Sequence, residues 1–224
     1  VLGSPTRKSL DFVKEARKFL AQKKSNQTDT PSIRKIKALI RQGEAKATCR
    51  YVGIKDEQFH FMNLPFYETG LIEKNPPTDA DVQLHIDLIK KIKPHQIFAA
   101  GDFADPHGTH KVCFDVMMSA LKKLKFDNDP SIADCNLWLY RGARAEWDIW
   151  DIDMSIPMSP DQVLQKRNGI FIHQSQKDGV VFQGSDSREF WQRAEDRNAG
   201  TAQLFDCLGL PQYSALEAFM RFSY

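Results

Sequence analysis

The chain has 224 residues, with 31 basic against 29 acidic side chains and a formal net charge of +2. That balance excludes the broad basic field a nucleic-acid surface needs, and no apolar run reaches the ~20 residues of a membrane helix. A hydrophobic share of 42% and an aromatic share of 11% suit the packed core of one substantial α/β domain.

Residues 1–7 lack the charged, apolar and small-residue order of a secretion signal. The four cysteines, Cys49, Cys113, Cys135 and Cys207, are scattered and form no CxxC pair. They read as reduced thiols of a cytoplasmic protein.

Leu10, Val13, Ala16, Arg17 and Leu20 recur at helical steps and predict an amphipathic helix to about Lys23. After a polar loop, Thr30-Pro31 pairs an N-cap with proline at the first helical position, and Ile33, Ile36, Ile40 and Ala47 carry that helix on. Phe59, Phe61 and Leu64 alternate with His60 and Asn63, which predicts a strand closed by Pro65. Thr78 or Asp79 caps a helix through Ile92 that Pro94 ends. Residues 96–102 form an apolar run ending in Gly101-Asp102, the form of a buried parallel strand.

A helix from about Thr109 to Lys123 follows, then a strand over 136–140 and a half-exposed strand within 148–156. Helices are expected to start near Ser159, Ser187 and Tyr213, the last running to about Phe219. Trp138, Trp147, Trp150 and Trp191 read as core residues. The succession implies βαβ units and an α/β fold with a mostly parallel sheet covered on both faces.

The loop from Asp102 to His110 gathers two imidazoles, His107 and His110, with the carboxylates Asp102 and Asp105. It leaves the carboxyl end of a predicted strand, where open α/β sheets place their chemistry. One neutral imidazole suits a zinc ion, and the other suits the oxygen of a reacting carbonyl. The same residues also make an ordinary turn, and spacing alone leaves both readings open. Arg141 ends another predicted strand and has the fork to hold a sugar phosphate; a salt bridge to Glu146 or Asp148 is its other reading.

Residues 104–110, residues 158–162 and the run from Lys166 to Gln176 together resemble the LmbE/PIG-L family of zinc-dependent N-deacetylases acting on N-acetylglucosamine compounds. More narrowly, they resemble the carboxyl-terminal domain of Bacteroidetes-type proteins that fuse a glucosamine-6-phosphate deaminase (isomerase) domain to an LmbE-like one. The resemblance spans about Ser9 to Phe222. It implies a three-layer αβα Rossmann-like sandwich and an amino-sugar substrate; Asp105 and Arg141 are read from their own positions as candidate contacts to that substrate. His110 matches the metal ligand, and His107 matches the group that steadies the oxyanion or protonates the leaving amine. His173 and Ser175 match a later motif and read as structural, with His173 expected to bond a free helix-end carbonyl.

The family's first motif, a strand ending in His-Pro-Asp-Asp, supplies two further ligands and the general base. None of the six histidines here precedes Pro-Asp. The expectation is one domain over residues 1–224, N-terminally incomplete, with that strand upstream and zinc held weakly by this chain alone. The implied partners are an upstream deaminase domain and further copies in a homo-oligomer, with neither nucleic acid nor membrane. The alternative function is a non-catalytic companion module of the deaminase (isomerase).

Overall fold

The computed structural model describes residues 6–24, 27–67, 74–101, 103, 108–142, 146–177 and 187–224. Helix starts follow their caps. The Thr30 hydroxyl accepts from the Ile33 amide with Pro31 in the first turn, which opens α2 (Pro31–Tyr51) behind α1 (Arg7–Gln22). Thr78 opens α3 (Asp79–Ile92), and Lys93 ends it in the left-handed conformation ahead of Pro94. β1 (Gln96–Ala100), α4 (Thr109–Phe126) and β2 (Asn136–Tyr140) come next. After β3 (Met154–Pro157), Ser159 and Gln162 close a reciprocal capping box on α5 (Pro160–Ile172). A single turn, α6 (Gln174–Lys177), then α7 (Phe190–Cys207) and β4 (Leu216–Phe222) complete the described elements.

The strand order is β1-β2-β4-β3. β1 and β2 run parallel, while β4 pairs antiparallel with both β2 and β3. The α/β class stands, but the sheet is mixed rather than mostly parallel. The difference arises at β4, where a helix was expected. Leu216, Phe219 and Met220 fit helical spacing, yet Leu216 and Ala218 are buried on one face while Glu217 points to the other.

Two other expectations are corrected. Residues 59–64 form no strand, because Asn63 takes a left-handed backbone (φ 47) and short 3-10 turns flank the stretch. Of residues 148–156, the first part is a 3-10 turn, Ile149–Asp151, and its Trp150 is 78% exposed rather than core.

One face of the sheet packs on α3 and α4, where Ile86, Ile89, Phe114, Leu121 and Leu124 meet Leu137, Leu139 and Ala218. The other face is covered at β4 by α7, against which α5 packs, and α2 lies on α5. This gives the helix–sheet–helix layering. Among the described residues no helix is long and apolar enough to cross a membrane.

Candidate functional site

Parallel pairing sets the ends of β1 and β2 side by side, with Ala100 opposite Tyr140. The Gly101 amide extends the ladder by donating to the Tyr140 carbonyl at 2.7 Å. Only glycine fits there. A Cβ on Gly101 would stand 2.9 Å from Trp147 Cζ2 and 3.0 Å from Leu139 Cβ. The Trp147 ring fills this space, and the Arg141 guanidinium lies 4.1 Å from its centroid.

A charged network lies beneath. Glu146 accepts from the Trp147 amide at 3.0 Å and from the Thr201 hydroxyl at 3.1 Å, and stands 3.5 Å from Arg197 Nη1. Arg197, 7% exposed at its side chain, donates to the Arg141 carbonyl at 2.7 Å and pairs with Glu217. Glu217 also accepts from Lys166 and from Asn198. Burial pushes the Glu146 carboxyl above its ordinary range despite Arg197. Burial also acts on Glu217, but Arg197 and Lys166 outweigh it and hold that carboxyl low. Burial pushes the Tyr140 phenol up, and the Glu217 charge adds to it.

No motif announced this network. Its signal in the sequence is a set of charges at positions flanked by inward-facing residues, such as Arg197 beside Asn198 and Thr201, and Glu217 between Leu216 and Ala218.

His110 stands exposed in the first turn of α4, after Gly108 in a left-handed conformation (φ 63). His107, Asp105 and Asp102 lie outside the described residues, and so does the expected convergence of His107 with His110. Arg141 is where the sequence put it, at the end of β2. Among the described residues it pairs with neither Glu146 nor Asp148; its Nε is buried without a hydrogen-bond partner.

His173 and Ser175 join helices. The His173 ring meets the Thr48 hydroxyl at 3.1 Å, in place of a free carbonyl. The Ser175 amide and hydroxyl donate to Glu44 at 2.7 and 2.6 Å. The four cysteines are free, and burial pushes the Cys113 and Cys135 thiols up, away from the reactive thiolate.

The zinc ion that the resemblance implies needs about three protein donors. Among the described residues no three His, Cys, Asp or Glu side chains come together. These residues therefore do not by themselves fit the ion.

Fold and strand-end network define an α/β domain with one polar edge at the carboxyl ends of β1 and β2. The chain is 51% identical over 208 residues, 93% of its length, to a glucosamine-6-phosphate deaminase-like protein of Bacteroides thetaiotaomicron. It spans 31% of that protein's length. The deaminase-linked relationship expected from the sequence is thus met by a relative. No family model matches the chain. A deacetylase of teicoplanin biosynthesis, solved by crystallography, gives a TM-score of 0.49 at 12% identity, covering 83% of this chain and 74% of that one.

Proposed function

We propose that the chain is the deacetylase-like part of a larger cytoplasmic amino-sugar enzyme, with its hydrolytic site completed by donors from outside the described residues. The observation that carries the reading is the side-by-side ending of β1 and β2. The end of β1 is followed in the chain by the first turn of α4, which holds His110, and the end of β2 presents Arg141. Support also comes from the motif resemblance and from the deaminase-like name of the homologous protein.

In this reading the reaction is cleavage of an N-acetyl amide by water, releasing acetate and the free amine. His107 gives its proton to the departing nitrogen. His110 would be one donor of a zinc site whose other ligands lie elsewhere. Asp105 and Arg141 contact the sugar, the guanidinium taking a phosphate where the substrate carries one.

Acetate release by the intact parent protein, supplied with zinc and N-acetylglucosamine or its 6-phosphate, tests the proposal. Acetate formation that is lost in His107→Ala supports it. A second reading is a non-catalytic companion module of a deaminase. It is favoured by the relative's name and by the single donor that His110 offers among the described residues. Absence of acetate with every amino sugar, alongside intact deaminase activity, selects the companion module.

A further inference from the structure

A second polar site lies away from the sheet, in the cleft between α2 and the turn around residues 63–67. Arg34, Lys37 and Arg41 follow one another at three and four residues on α2, so they share one face of the helix. They line a cleft of about 780 Å³ together with Asn63, Tyr67 and Lys74, a size within the usual range for small-molecule sites. The Lys74 ammonium lies 4.1 Å from the centroid of the Tyr67 ring.

Among the described residues of this lining the acid is Asp29, already shared between Lys23 and Lys37, each at 2.7 Å. Those two bonds hold its carboxyl below the ordinary range. Glu44, one turn beyond Arg41, is engaged by the Ser175 amide and hydroxyl. Arg34 is half-buried, and its Nε is shielded from solvent with no hydrogen-bond partner among the described residues. A shielded guanidinium nitrogen without an acceptor is costly unless an anion supplies one.

We propose that this cleft binds a small phosphate-bearing anion, with Arg34 and Arg41 as its forked donors. Guanidinium planes match the spacing of phosphate oxygens and bind them through paired hydrogen bonds. The surplus is local: a chain of net charge +2 has no extended track for a polyanion, but a concentrated cluster suits one compact group. Asn63 and Tyr67 on the opposite wall offer an amide and a phenol to the hydroxyls of a phosphorylated sugar. This site does not depend on the deacetylase reading.

Isothermal titration of the 224-residue chain in low-salt, phosphate-free buffer tests it, using inorganic phosphate, glucosamine 6-phosphate and unphosphorylated glucosamine. The two phosphates are expected to bind one per chain and to compete, while glucosamine gives no heat. Equal affinities identify the phosphate group alone as the ligand; tighter glucosamine 6-phosphate identifies its ester. Arg34→Gln and Arg41→Gln each weaken binding by roughly tenfold. Lys122→Gln, on the exposed face of α4, leaves it unchanged. Arg41 is exposed, so its variant keeps the parent thermal midpoint and separates lost binding from lost fold. Absence of phosphate binding, or binding that both arginine variants leave intact, overturns the proposal.

Discussion

The Arg141 guanidinium rests 4.1 Å from the centroid of the Trp147 ring, and the same ring closes on the backbone of Gly101. One indole thus joins the ends of β1 and β2. It fixes the backbone at Gly101 and the place of the Arg141 cation, because neither strand end can shift without displacing the ring.

Gly101→Ala is the sharpest test of that joint. The added methyl would overlap Trp147 Cζ2 and Leu139 Cβ, and overpacking of this kind costs about 1–3 kcal/mol. Urea unfolding should show a lower midpoint with an unchanged slope.

Arg197 holds two half-buried carboxylates. Arg197→Met leaves Glu146 and Glu217 without their shared cation, a loss of roughly 3–5 kcal/mol. Glu146→Gln should cost less, since burial already favours the neutral form of that carboxyl. Its raised folded value means stability declines as pH climbs from the unfolded carboxyl range through the folded one. Unfolding free energies of the parent chain and the two variants from pH 4 to pH 8 check both statements, the parent's decline being absent from Glu146→Gln.

Asp81 shows the opposite sign. It is fully buried, and burial pushes its carboxyl up, but the Phe66 and Thr78 amides and the Thr78 hydroxyl outweigh this and hold it low. Its contribution is present above the ordinary value of 3.8 and is lost as pH falls through the folded one. Asp81→Ala should destabilise by about 2–4 kcal/mol at neutral pH, and much less in acid. Chemical denaturation at pH 7 and pH 3 measures the difference.

Zinc titration of this chain should give affinity far below the ~10 kcal/mol of a complete structural site. His110→Ala should barely change it. Tight binding abolished by that substitution would show that this chain supplies the whole ligand set.

In an active parent protein, Arg141→Gln should raise KM for a 6-phosphorylated substrate by roughly tenfold while leaving kcat unchanged. The unphosphorylated substrate should be indifferent. Parallel kinetics on the two sugars separate recognition of phosphate from damage to the strand end.

Caps and apolar periodicity made most helices legible in the sequence. Thr30-Pro31 and Ser159-Pro160 open α2 and α5 through bonds made within four residues. The ends of β1 and β2 were legible too, since an apolar run stopping at Gly101 or at Arg141-Gly142 marks its own boundary. The strand-end network was not, because Glu146, Thr201 and Glu217 lie as much as 71 positions apart and meet through Arg197 only after α7 folds onto β4.

By itself the sequence determined what local chemistry determines: the capped helix starts such as those of α2 and α5, the two parallel strands, and His110 in the opening turn after a strand. Tertiary structure decided what depends on distant partners. Residues 216–222 satisfy helical and extended spacing alike, and the backbone bonds offered by β2 and β3 make them a strand. Arg141 had nearby acids to pair with, yet it stacks on Trp147, because those acids are drawn away or placed elsewhere by the packing of helix on sheet.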